Sequence, residues 1–204
     1  MTGPEKCLVL VSGGMDSAVA LYWALREGFS VEALTIDYEG RPRGERRAAT
    51  VLADAAGIPL VEAALPFLRT LAEPGRHRKS DQHLDGYIPM RNLIFYAVAG
   101  YFAERSGATC VVGGHVSGDN VDFPDATSVF FEDLNSLLGY SLRSGASLRI
   151  LRPFADLTKR EVVDLGLRWG VPFEKTWSCW FDGETPCGEC ASCLERQEVL
   201  KARK

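Results

Sequence analysis

Four cysteines near the end of the chain, Cys179, Cys187, Cys190 and Cys193, follow the spacing Cys-x7-Cys-x2-Cys-x2-Cys. That is enough soft thiolate for a closed tetrahedral metal site. Near the other end, Ser12-Gly13-Gly14-Met15-Asp16-Ser17 places two glycines and a carboxylate directly after the apolar run Cys7 to Val11. Glycines let a backbone approach a ligand closely, and successive amides at a helix start attract negative charge, so the stretch reads as a cradle for phosphate. Between these two motifs lie Arg91 and Lys159, cations able to face an anion, and the carboxylates Asp119, Asp122 and Asp125 in one loop. Such a loop could hold magnesium together with bound phosphates.

Those groups need a frame, and the periodicity supplies one. Cys7 to Val11 predicts a buried strand, and Met15 to Leu25 a helix whose free amides Asp16 and Ser17 could cap. Val31 to Tyr38 predicts a second strand, Arg43 to Ala56 an amphipathic helix stopped by Gly57-Ile58-Pro59, and Leu60 to Leu65 a third strand. This alternation predicts an α/β fold: a Rossmann-like parallel sheet with helices on both faces. Ligands of such sheets lie at the carboxyl ends of the strands, which sets Ser12 to Ser17, Asp37 and Tyr38 on one rim.

From Pro66 to Asp85 the periodicity fails, and a polar loop with Arg69, Arg76, His77, Arg78, Lys79, Asp81 and His83 is expected to act as a lid. Neither His77 nor His83 is assigned a catalytic part. Leu93 to Ser106 predicts a helix entered through Pro89, with Arg91 and Asn92 in its first turn. A cation there opposes the helix dipole, so Arg91 is expected to meet a phosphate or carboxylate. Ala108 to His115 reads as a fourth strand running into Gly113-Gly114. Past the acidic loop comes a helix from Phe130 to Leu138, capped by Thr127 or Ser128, with Glu132 and Asp133 suited to its first turn. Leu148 to Phe154 reads as a fifth strand. Thr158 followed by Glu161 fits a capping box, and Lys159 beside it could reach an anion in the cleft.

Bulk properties narrow the class. With 204 residues and a net charge of -4, the chain can fill one core with a small appendage, residues 1–170 and 171–204, and shows no basic run that would suggest direct nucleic-acid binding. Met1 to Lys6 lacks a signal-peptide core and no stretch is long enough to span a bilayer, so no membrane partner and a cytoplasmic location are expected. Cys7 and Cys110, in apolar runs, read as buried thiols. The four-cysteine cluster suits structural zinc; an iron–sulfur cluster also uses four thiolates, but nothing here demands electron transfer.

The glycine loop has neither the GxxxxGK spacing of a Walker loop nor the GxGxxG of a dinucleotide fingerprint. Ser-Gly-Gly-Met-Asp-Ser resembles the SGGxDS loop of PP-loop ATP pyrophosphatases, which cleave ATP between its α and β phosphates to adenylate a carbonyl oxygen. Together with Pro89-x-Arg91-Asn92, Phe123-Pro124-Asp125, Thr158-Lys159-x-Glu161 and the four cysteines, the chain resembles the 7-cyano-7-deazaguanine synthases of the queuosine and archaeosine pathways over nearly its whole length. The resemblance implies a ligase that converts 7-carboxy-7-deazaguanine, ammonia and ATP to the nitrile through an adenylate and an amide, with Mg²⁺ and structural Zn²⁺. It implies ATP contacts from Leu10 through Ser17, Asp37 and Gly114, and deazapurine contacts from Tyr38, Arg91, Asn92, Asp119, Phe123 and Asp125. Asp16, Arg91 and Lys159 would carry catalysis, Cys179, Cys187, Cys190 and Cys193 would bind the metal, and a homodimer would fit.

Two loops depart from that pattern. After Asp37-Tyr38 the family commonly has Gly-Gln-Arg-His where this chain has Glu39-Gly40-Arg41-Pro42, and Tyr-Pro-Asp-Cys-Arg is here Phe123-Pro124-Asp125-Ala126-Thr127. An adenylating relative that passes another deazapurine or carboxylate to a different amine or sulfur acceptor, including a protein amine, therefore stays open. So does a zinc-stapled nucleotide sensor or tRNA-binding module, which would leave ATP intact.

Overall fold

The computed structural model describes residues 3–69, 87–119, 123–143 and 147–201. Five strands, β1 (Lys6–Leu10), β2 (Ser30–Glu39), β3 (Leu60–Arg69), β4 (Cys110–Val112) and β5 (Arg149–Leu151), form one sheet in the order β3-β2-β1-β4-β5. Every pairing is parallel. The six helices among the described residues are α1 (Met15–Arg26), α2 (Arg43–Ala56), α3 (Arg91–Ser106), α4 (Ser128–Ser141), α5 (Lys159–Arg168) and α6 (Ala191–Lys201).

The two-residue period of β1 explains why helices cover both faces. Cys7 and Val9 point into one core with α1, Leu52 of α2 and Val162 and Val163 of α5, while Leu8 points into the other with Tyr96 and Ala99 of α3 and Phe131, Leu134 and Leu138 of α4. Cys7 and Cys110, opposite each other in register, are fully buried free thiols. The last segment does not stand apart, because Val171, Phe173 and Val199 join the first core.

Several boundaries differ from the sequence expectation. β3 continues through Pro66 to Arg69 rather than ending at Leu65, with an irregularity in register between Tyr38 and Glu39. The strand lies at the sheet edge, where a proline's missing N–H is tolerated. β4 and β5 are three residues each, shorter than their apolar runs, although the Gly113 N–H still reaches the Leu151 carbonyl at 3.0 Å. Helix α4 starts at Ser128, so Glu132 and Asp133 lie beyond its first turn, and Thr127 caps it by accepting from the Phe130 N–H at 3.3 Å. The capping box at Thr158 and Glu161 is present. Residues 70–86, on which the expected lid falls, lie outside the described residues, as does Asp122.

Candidate active site

The strand order reverses at β1, which has β2 on one side and β4 on the other, and there a crevice must open beyond the strand ends. Gly13, at φ 103°, carries the chain over this edge, and a Cβ on it would lie 2.2 Å from the Glu45 carbonyl oxygen. Its own carbonyl accepts the Trp177 N–H at 2.9 Å. Ser12 Oγ accepts from the Gly14 N–H and donates to Ser17 Oγ, which donates to the Gly14 carbonyl at 2.9 Å. The N-cap of α1 is Gly14 and no side chain caps the helix, so Asp16 and Ser17 do not take the capping role expected of them. The two hydroxyls instead knit the loop to itself, which leaves the start of α1 open to an anion.

A cleft of about 310 Å³ opens there. Leu10, Val11, Ser12, Gly14, Asp16 and Ser17 line it from the loop, Tyr38 from β2, Arg91 and Asn92 from the first turn of α3, and Gly114 and Asp119 from the crossing after β4. Gly114 needs its lack of a side chain, since a Cβ would lie 2.7 Å from the Asp16 backbone. Other expected residues take places around the cleft. Gly13 and Met15 are buried beneath the loop, and Asp37, out of phase with Ile36 and Tyr38 along β2, pairs with Arg46 at 3.4 Å. Phe123 stacks on Tyr87 and lies under the Arg91 guanidinium at 5.5 Å. Asp125 accepts the Asn92 backbone N–H at 2.8 Å while the Asn92 amide donates to the Asp125 carbonyl, so this pair fixes the start of α3 and with it Arg91.

The charges at the rim are coupled. Lys159 Nζ lies 3.3 Å from Asp16 Oδ2 and 2.8 Å from Glu195 Oε2. Burial alone would lower the lysine, but these two carboxylates overrule it and hold Lys159 at about 12. Burial pushes the Asp16 carboxyl up, against the opposing pull of Lys159, and Asp16 Oδ1 is buried without a partner. Burial also works against charge on Asp119, yet His115 and the Val116 N–H hold it below the usual carboxylate range. Burial raises the Tyr38 hydroxyl and the Glu45 carboxyl.

Several lining residues were not among the sequence candidates. Arg41 is buried with its guanidinium donating to the Ser12 carbonyl at 2.5 Å, the Ile36 carbonyl at 2.8 Å and Glu45. It ties the end of β2 to the glycine loop, and the sequence carries a signal for it: an arginine between Gly40 and Pro42 in a turn beyond a strand end. Glu45, Phe95, Tyr96 and His115 also face the cleft, and only the fold brings them there.

The four cysteine sulfurs all lie within 4.8 Å of one another. Thiolates around one ion at about 2.3 Å stand about 3.8 Å apart in a tetrahedron, and Cys187 and Cys193 are 3.9 Å apart, so the set fits a single tetrahedral ion. The Glu189 and Cys190 N–H groups point at Cys187 Sγ and lower that thiol to about 7, and the Phe181 and Cys187 N–H groups point at Cys179 Sγ. These donors favour thiolates at Cys187 and Cys179, while burial works the other way and raises Cys179 and Cys193.

A parallel sheet with a glycine loop at its switch point is the Rossmann-like α/β arrangement expected from the sequence. Solved structures share this fold: a U34-tRNA thiolase from Methanococcus maripaludis (TM-score 0.53, 14% identity, 98% of this chain and 66% of that one) and an NMN synthetase from Francisella tularensis (TM-score 0.52, 17% identity, 97% and 84%). Residues 6–204 match the model of the family described as Queuosine biosynthesis protein QueC, and the chain belongs to that family. Similar curated relatives named 7-cyano-7-deazaguanine synthase come from Thermoplasma acidophilum, 34% identical over 94% of this chain and 86% of the relative, and from Nitratiruptor sp., 32% identical over 94% and 91%.

Proposed function

We propose that this chain makes 7-cyano-7-deazaguanine, the product that its relatives are named for, from 7-carboxy-7-deazaguanine, ammonia and ATP. The observation that carries the proposal is the uncapped glycine loop of α1 opening into a cleft that also holds Asp16, Arg91 and, at its rim, Lys159. The loop amides would hold the β and γ phosphates of ATP. A carboxylate oxygen of the deazapurine attacks the α-phosphorus and breaks its bond to the bridging oxygen, so pyrophosphate departs. Ammonia then displaces AMP and gives the amide, with one proton lost to solvent. A second ATP adenylates the amide oxygen, and loss of AMP with the remaining amide protons leaves the nitrile.

This chemistry needs no side-chain nucleophile; it needs charge compensation and orientation. Arg91, held by the Asn92–Asp125 pair, would face the carboxylate or α-phosphate, and Lys159 would face the departing pyrophosphate. Tyr38 and Asn92 would border the base, with Asp119, Phe123 and Asp125 supporting that side. The unpartnered Asp16 Oδ1 fits a magnesium ion arriving with the phosphates, whose charge would offset theirs. Zinc is the ion best suited to four close thiolates, and a closed set has no open position for water, so residues 171–204 form a stapled appendage to the sheet domain of residues 1–170. The reading leaves the protein as a cytoplasmic enzyme, and a homodimer agrees with it.

Mass spectrometry of products after incubation with ATP, Mg²⁺, ammonia and 7-carboxy-7-deazaguanine tests the proposal. Nitrile and AMP are expected. Amide as the final product, or intact ATP, would overturn it.

A further inference from the structure

Lys159 is held between carboxylates from opposite ends of the chain. One is Asp16, in the first turn of α1; the other is Glu195, on α6 and two residues beyond Cys193. The two contacts are unequal, 3.3 Å to Asp16 and 2.8 Å to Glu195, the shorter one a hydrogen bond from Nζ. An ammonium next to a single buried carboxylate would settle on it, and Asp16 would lose its freedom to meet anything else. Here Asp16 Oδ1 has no partner although it is buried.

The second carboxylate is half-exposed, but the helix that carries it is firmly placed. Arg196, its neighbour, donates to the Phe173 carbonyl and to Thr176 Oγ1, Gln197 donates to the Gly188 carbonyl at 3.1 Å, and Val199 is packed into the main core. The same segment touches the loop from behind through the Trp177 N–H on the Gly13 carbonyl. The α6 helix thus presents Glu195 from a rigid base.

We propose that Glu195 is a positioning residue of the nucleotide site: it draws the Lys159 ammonium away from Asp16, which keeps Lys159 at the rim for a phosphate oxygen and leaves Asp16 Oδ1 available. Glu195 touches no reacting atom and acts through Lys159. The proposal rests on the nucleotide-binding part of the function above and not on the identity of the deazapurine.

If Glu195 acts only through Lys159, its removal must matter only while Lys159 is present, which is a double-mutant cycle. The probe is magnesium with an ATP analogue carrying a methylene between the α and β phosphates, titrated calorimetrically into the full-length metal-loaded chain, K159M, E195Q and the double variant. E195Q is expected to weaken binding about tenfold in the native background and less than twofold in K159M, with four-cysteine metal content unchanged in each. E195D, shorter by one methylene, should give an intermediate loss, and the cycle is run with it if E195Q is insoluble. Equal losses in both backgrounds, no loss in the native one, or departure of the metal from E195Q would overturn the proposal, as would a native chain that does not bind the analogue. A failed nitrile assay beside a positive cycle would remove the deazapurine and leave Glu195 in place.

Discussion

Gly13 to Ser17 and Cys179 to Cys193 are both short motifs whose groups, close in sequence, could hold a charged ligand, but they are held in shape differently. The glycine loop is shaped by its own hydroxyls, by the sheet beneath it and by steric exclusion: Ser12 and Ser17 bond to it, and Glu45 and Gly114 close on it. The cysteine segment has little core of its own. Trp177, Cys179, Cys193 and Ala48 make a small cluster, and an ion among the four close sulfurs would add to its order. Damage to the loop should therefore stay chemical and local. Damage to the cysteines should spread, through Trp177 to Gly13 and through Glu195 to Lys159.

The largest effect should follow metal removal. Chelation, or Cys190→Ser, is expected to lower Tm by roughly 10 °C or more, because a structural metal contributes several kcal/mol to folding. Amide exchange at Gly14 to Ser17 should quicken at the same time, since the Trp177 buttress loosens. Exchange that changed only at residues 171–204 would break the comparison, for the tail would then be independent of the loop.

Asp16→Asn should do the reverse: lose at least about a hundredfold in turnover with no loss of fold. Burial raises the Asp16 pKa, so the protonated form is favoured in the native state. Its stability contribution is complete below the ordinary value of 3.8 and disappears as pH rises through the raised native value. At neutral pH the ionised group is a cost that asparagine avoids, so Tm should rise by roughly 2–4 °C, what about 1 kcal/mol gives a chain of this size. The gap between variant and native chain should close below pH 3.8 in thermal melts. A variant less stable than the native chain at pH 7 would show that Lys159 outweighs burial.

Steric exclusion on the loop side can be probed without touching charge. A Cβ at Gly113 would lie 1.8 Å from the Tyr96 hydroxyl, which is fully buried and has no hydrogen-bond partner. Gly113→Ala should cost about 2–3 kcal/mol by overpacking, whereas Tyr96→Phe alone should change stability by less than about 1 kcal/mol. The double variant should recover part of the loss in urea unfolding. Additive losses would place the clash on the Gly113 backbone instead.

These experiments also separate what the sequence makes legible from what it does not. The strands, the glycine loop and the cysteine cluster are legible because each rests on a local rule: alternating burial, small residues at a strand end, cysteine spacing. The generic helix-start rule does not describe the capping of α1, because Ser17 faces back to Ser12 and Asp16 faces a lysine more than a hundred residues away. Tyr96, His115 and Glu195 are not legible for a related reason. Their meaning arises only when the sheet order sets β2, α3, β4 and α6 around one crevice, and no spacing encodes that.

The smallest expected effect concerns Thr158, where a local rule serves a distant partner. Its hydroxyl accepts the Glu161 N–H at 3.3 Å and Glu161 Oε2 accepts the Thr158 N–H at 2.8 Å, which fixes the first turn of α5 and so the backbone of Lys159. Thr158→Ala should cost about 1 kcal/mol. Backbone and side-chain bonds from Thr158 hold the Glu161 carboxyl below the usual value of 4.5, so its contribution is present above 4.5 and lost as pH falls through the lowered native value. Acid unfolding of Thr158→Ala should consequently lose part of the native chain's steepness below pH 4.5. Because Glu195 grips the Lys159 ammonium from the other side, nucleotide affinity should fall by less than about threefold despite the frayed cap. A loss as large as that of E195Q would mean that α5, and not the cysteine-bearing segment, sets where the ammonium stands.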